Sequence, residues 1–136
     1  MVTKHARDVV RAWLVEWNRR DPAVLGRWVS DDYLHHASDG SDLDFAGFAA
    51  GFEAVLRGFP DMVYTVEHLF AEDDLVGAYV VGVGTHRGAF LGRSATGRPA
   101  RFAGIYHARV RGGVIVEDWD VFDLLHPALS LGVQIG

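Results

Sequence analysis

The sequence predicts an α+β fold in which three helices precede a strongly curved, mainly antiparallel sheet. Three observations carry that expectation. Up to Pro60 the apolar residues recur at three- and four-residue spacing, and beyond it they fall into strand-like runs nearly to the end. Two of those runs are joined tightly by Arg111-Gly112-Gly113, which reads as a hairpin turn. Gly77, Gly82 and Gly84 lie inside one apparent strand, where glycine is unfavourable unless the strand bends sharply or another segment comes close. A sheet bent in this way, with aromatic helices laid across its concave side, leaves a conical pocket suited to a small apolar molecule.

The first helix is expected from Thr3 to Arg20, because Ala6, Val9, Val10, Trp13, Leu14 and Trp17 fall on one face. Thr3 is its expected N-cap, and Asp21-Pro22 ends it. A short helix from Pro22 to Trp28 carries proline in its first turn, where the missing N–H does no harm. Asp31 to Ala37 reads as a brief extended piece, followed by a polar loop from Ser38 to Asp42. The third helix runs from Asp44 to Arg57 with Phe45, Phe48, Ala49, Phe52 and Leu56 as its buried stripe, closed by Gly58 and Pro60. Strands are then expected over Met62–Phe70, Leu75–Arg87, Arg98–Val110 and Val114–Leu124, an antiparallel meander with a turn at Asp73-Asp74 and a loop from Gly88 to Gly97.

The 136 residues fit one domain, residues 1–136, and a composition 49% hydrophobic and 12% aromatic builds a core without staples. With no cysteine, disulfides, thiolate metal ligands and cysteine nucleophiles are excluded. The start Met1-Val2-Thr3-Lys4-His5-Ala6-Arg7 leads into an amphipathic pattern rather than a long apolar run. Neither a signal peptide nor a membrane span is therefore expected, and the protein is expected to be soluble and cytoplasmic. Thirteen basic residues against eighteen acidic ones give a net charge of -5, and the arginines are scattered, which argues against nucleic acid as a partner. There is no Gly-x-Ser-x-Gly elbow, Walker loop or dinucleotide fingerprint, so phosphate and nicotinamide chemistry have no support.

The chemistry concentrates in the last strand, Val114 to Asp123, which carries Glu117, Asp118, Asp120 and Asp123 in a run that ought to bury one face. Alternation puts Val116, Asp118, Asp120 and Phe122 on one side and Ile115, Glu117, Trp119, Val121 and Asp123 on the other. In an apolar pocket, desolvation makes Asp120 a stronger base than in water; on a solvent-facing side it is merely solvated. Asp118 is either its partner at the pocket rim or a surface acid. His107, on the preceding strand near the level of these acids, is placed to donate to a developing oxyanion or to hold a water, or else is an ordinary hydrogen-bonded histidine. His35 and His36 point to opposite faces, and His36, on the side of Leu34, is the one expected to face the pocket. Tyr33 could hydrogen-bond a carbonyl, and Trp13, Trp17, Phe48 and Phe52 either hold a substrate or simply form core. His36, His107 and Asp120 could in principle supply metal ligands, but no short ligand-spacing motif supports this; no metal and no cofactor are expected.

Residues 84–98, Gly-Thr-His-Arg-Gly-Ala-Phe-Leu-Gly-Arg-Ser-Ala-Thr-Gly-Arg, followed by Gly104-Ile105 and the stretch Gly113 to Asp123, resemble the SnoaL-like polyketide cyclases of the NTF2-like superfold. Asp32-Tyr33-Leu34-His35-His36 resembles the family's first-strand pattern ending in histidine. The resemblance implies an α+β cone, a homodimer or higher homo-oligomer, and a cofactor-independent intramolecular aldol condensation that closes a ring of an apolar aromatic polyketide in antibiotic biosynthesis. It matches the family's aspartate base to Asp120, with Asp118 as the fallback, its strand histidine to His107, and a polar pocket residue to His36. The tail departs from the family, with Ser130-Leu131-Gly132 where Gln-Leu-Gly is common. Other readings on the same cone are a polyketide-tailoring hydroxylase, an epoxide hydrolase and a non-catalytic receptor for an apolar ligand. The epoxide hydrolases use Asp-Arg-Asp, and here Arg87, Arg101 and Arg109 have no aspartate two residues away. Acids on the outer face of the sheet would favour the receptor.

Overall fold

A computed structural model describes residues 5–134. Helix α1 spans Ala6–Glu16 and buries Val9, Val10, Trp13 and Leu14. The expected cap at Thr3 lies outside the described residues; His5 occupies the N-cap position, and its carbonyl accepts from the N–H groups of Asp8 and Val9. A 3-10 turn over Trp17–Arg19 extends the helix until Arg20 turns left-handed at φ 58°. Asp21 caps α2 (Pro22–Leu25) by accepting from the Ala23 N–H at 3.0 Å. Asp44 does the same for α3 (Phe45–Gly58) through the Gly47 N–H at 2.9 Å.

The strands are β1 (Val29–His36), β2 (Asp42–Leu43), β3 (Val63–Glu72), β4 (Leu75–Thr85), β5 (Pro99–Arg111) and β6 (Val114–Phe122), with α4 (Leu125–Ser130) after them. They form one six-stranded sheet in the order β2-β1-β6-β5-β4-β3. The expected meander is β3 to β6. The extended piece after the second helix is a full strand, and it pairs parallel to β6, so the sheet has two more strands than the sequence predicted. Val-Ser-Asp-Asp-Tyr-Leu-His-His hides this because its buried positions are Tyr33 and His35 rather than aliphatic residues. Helix α4 was also not expected, since six residues are too few to show a helical period.

Two glycines show how the sheet curls. A side chain on Gly77 would run into the Phe70 ring of β3, and one on Gly104 would strike the Val121 carbonyl oxygen and the Phe122 backbone of β6. A register shift between Arg109 and Val110 changes the alternation of β6. Ile115 faces inward opposite Val110, and past the bulge Asp118, Asp120 and Phe122 face inward opposite Ala108, Tyr106 and Gly104. Ile115 and Asp118 are consequently both fully buried, where strict alternation had put them on opposite faces. The inner face packs on α1 and α3 through Trp13, Trp17, Phe48, Phe52, Val80 and Tyr106, and a second cluster of Phe59, Met62, Ala100, Phe102 and Leu131 closes one end. No helix of the described residues is long and apolar enough to cross a membrane.

Candidate active site

Between the inner face of the sheet and α3 lies a cavity of about 320 Å³, at the lower end of the range for small-molecule sites. Trp17, Phe48, Phe52, Tyr64, Phe90, Phe102 and Phe122 supply its aromatic walls. Its polar groups are few: His35 and Asp120 on the sheet, and Asp39 and Ser41 from the loop between β1 and β2. Among the described residues no arginine lines it. That leaves an Asp-Arg-Asp epoxide chemistry without its cation.

The polar end is built outward from Asp118, whose side chain is 0% exposed. The Tyr33 hydroxyl lies 2.9 and 2.8 Å from its two oxygens, the Tyr106 hydroxyl donates at 2.7 Å, and His35 Nδ1 sits at 2.6 Å. A carboxylate only accepts, so His35 carries its proton on Nδ1 toward Asp118. Burial, reinforced by the charge of Asp118, drives the pKa values of both phenols well up, so these hydroxyls stay protonated as donors.

The other ring nitrogen, His35 Nε2, lies 3.6 Å from Asp120 Oδ2. Asp120 is partly buried and also receives the Ser38 hydroxyl at 3.0 Å. Desolvation raises its carboxyl pKa from the ordinary range, against the opposing pull of His35 and Ser38. Tyr64, across the cavity on β3, has its phenol pushed up by burial and then by the Asp120 charge.

Asp118 and Asp120 therefore both lie on the inner face, Asp118 as the buried anchor and Asp120 at the cavity wall. Trp17, Phe48 and Phe52 line the cavity. Trp13 does not; it is wholly buried beneath it, in edge contact with Trp17 at 6.0 Å. Tyr33 is bound up with Asp118 rather than open to a ligand.

Two expectations are corrected. His107 pairs directly with Trp119, and cross-strand partners share a face, so it lies on the outer face, away from both aspartates. There it stacks on the Trp119 indole at 4.5 Å and 7°. His36 is also on the outer face, stacked on the other side of Trp119 at 5.0 Å and hydrogen-bonded to Asp42 and Glu117, each at 2.7 Å. The inward histidine is its neighbour His35. The signal that could have found it is Tyr33: as the one large aromatic in an acidic strand it must be buried, and a strand's period of two then carries His35 inward with it.

A curled sheet closed by aromatic helices over acid groups on its inner wall is the NTF2-like cone. The same fold occurs in a protein with a ketosteroid isomerase-like fold from Catenulispora acidiphila DSM 44928, solved with trimethylamine (TM-score 0.75, 20% identity, 93% of each chain). The SnoaL-like polyketide cyclase profile matches residues 7–130, and the chain belongs to that family. Among solved structures it is similar to IdmH of Streptomyces antibioticus, a proposed polyketide cyclase, with 31% identity over 96% of this chain and 100% of that one and a TM-score of 0.84. It is also similar to AclR of Streptomyces galilaeus, a proposed hydroxylase, with 26% identity over 96% of this chain and 83% of that one and a TM-score of 0.88. Among curated proteins no relative matches.

Proposed function

We propose that the protein is a polyketide cyclase that closes a ring by intramolecular aldol condensation, with Asp120 as the base. The observation that carries this reading is the Asp120 carboxyl at the wall of an aromatic cavity, its pKa raised by burial. A carbon between two carbonyls is already acidic, so one positioned carboxylate contributing ~10²–10⁴-fold is sufficient for its deprotonation. Trp17, Phe48, Phe52 and Tyr64 would hold an apolar, folded substrate so that the resulting carbanion meets its second carbonyl. Family membership and the likeness to IdmH support the reaction class.

A simple probe is 2-tetralone, a bicyclic ketone whose C1 protons are acidified by the ring and the carbonyl together. The wild-type protein is expected to accelerate deuterium wash-in at C1, read by proton NMR, and Asp120→Asn to lose at least about 100-fold of that acceleration. Undiminished exchange in Asp120→Asn contradicts the assignment. The likeness to AclR favours a second reading of the same cavity, hydroxylation of a polyketide. A product heavier by one oxygen atom, rather than isomeric or lighter by one water, selects it.

A further inference from the structure

With His107 on the outer face, the oxygen that becomes negative in the aldol reaction needs a donor from the cavity wall, and one group there is anchored for that task. We propose that His35 is the second catalytic residue, an imidazolium acid paired with the Asp120 base, and that Asp118, Tyr33 and Tyr106 are the positioning residues that hold it. The inference rests on the aldol reading above.

Three features of the geometry support it. His35 lines the cavity although its side chain is only 5% exposed, so its ring is held within the wall. Nδ1 is committed to Asp118 at 2.6 Å, which leaves Nε2 as the edge that exchanges protons. Asp118 itself is held by two phenols from two different strands, β1 and β5, so the ring plane is set by the sheet rather than by the loop after β1. The remaining side of the ring meets Phe48 of α3 edge-on at 5.0 Å. An aspartate holding the far nitrogen of a histidine, so that the near nitrogen works on substrate, is the logic of an oriented acid–base histidine.

The proton inventory closes. The pair starts as Asp120 carboxylate and His35 imidazolium. Asp120 takes the proton from the carbon between the carbonyls, the C–H bond breaks and its electron pair becomes the enolate, whose oxygen accepts a hydrogen bond from His35 Nε2. The enolate carbon forms the new C–C bond to the second carbonyl, and the resulting alkoxide takes the proton from His35 Nε2. Asp120 is then protonated and His35 neutral, and transfer of one proton from Asp120 to His35, across the gap that measures 3.6 Å in the structure, restores the starting state. No co-reactant is consumed.

Charged and titratable groups around His35 come from every element packed on it: Asp118 and Asp120 from β6, Tyr33 from β1, Asp39 from the loop after β1 and, through Asp118, Tyr106 from β5.

The test combines histidine-ring ¹H–¹⁵N NMR with 2-tetralone exchange. In the wild type, neutral His35 is expected as the Nδ1–H tautomer; an Nε2–H tautomer overturns the proposal. For exchange, the wild-type rate is expected to rise as Asp120 ionises. His35→Gln is expected to be slower by about 100-fold while keeping the acid limb that Asp120 sets. If Asp120→Asn is inactive while His35→Gln keeps the wild-type rate, only the role of His35 falls. If Asp120→Asn is fully active, the aldol reading falls with it. Should His35→Gln fail to fold, Tyr33→Phe keeps the question open to measurement, because loosening the anchor is expected to slow exchange without moving the acid limb, and an unchanged rate counts against the anchor.

Discussion

Two histidine–carboxylate pairs stand side by side on the same two strands, one on each face of the sheet. On the inner face His35 meets Asp118 at 2.6 Å with side chains 5% and 0% exposed; on the outer face His36 meets Glu117 at 2.7 Å with 26% and 31% exposed. Distance does not separate them, and burial does. The inner pair has no water to replace a lost partner, so it is rigid and costly to break, whereas the outer pair is screened and adds little. The same alternation that hides one imidazole from solvent gives the site its oriented group and leaves its neighbour as a surface stack on Trp119.

The comparison is broken most forcefully at the carboxylates. Asp118→Ala strands two phenolic hydroxyls and an imidazole N–H in the core, and is expected to cost about 3–5 kcal/mol, read as a lowered urea midpoint. Glu117→Ala, one residue earlier on the other face, is expected to cost no more than about 1 kcal/mol. Equal losses would mean that burial does not distinguish the two pairs.

A smaller effect of opposite sign is expected at Asp120. Its carboxyl pKa is raised on folding, so the folded state holds that proton more tightly than the unfolded chain. The associated stability is present at low pH and is lost as pH rises from the ordinary carboxylate value through the raised one. Asp120→Asn is thus expected to be more stable than the wild type at neutral pH while losing activity, and thermal melts across the acid range should show the advantage growing with pH. A neutral-pH loss of stability would argue that Asp120 is a structural acid.

The smallest effect lies in the outer stack. His36 is raised, chiefly by its hydrogen bond to Glu117, and His107 is lowered by desolvation, so NMR should find His36 titrating above the usual histidine value of about 6.5 and His107 below it. The contribution of His36 to stability is present below that usual value and fades as pH rises through its own raised pKa. For His107 it is present above the usual value and lost as pH falls through its lowered one. Glu117→Gln should remove most of the His36 shift and leave His107 nearly where it was.

Helical spacing, the change of pattern after Pro60 and the Gly112-Gly113 hairpin made the helices and the four-stranded meander legible in the sequence, because each is a local signal. The parallel pairing of β1 with β6 was not legible, since β1 buries Tyr33 and His35 in place of aliphatic residues and its partner lies about 80 residues away in the chain. At the site, the strand of acids was readable as chemistry, and so were the aromatics of α3. Which histidines face it was not: the exchange of His35 for His36, and the misplacement of His107, are each errors of one residue in register, and a strand converts one residue into the opposite face. For His107 that one residue is the bulge in β6, a change of parity that no period of two can foresee.

The central claim, that the inner face alone carries acid–base chemistry, is tested most directly by comparing deuterium wash-in to 2-tetralone for Asp120→Asn and His36→Gln under the same conditions. The account predicts that Asp120→Asn loses the acceleration by at least about 100-fold while His36→Gln keeps it. Undiminished exchange in Asp120→Asn, or an equal loss in both variants, would contradict it.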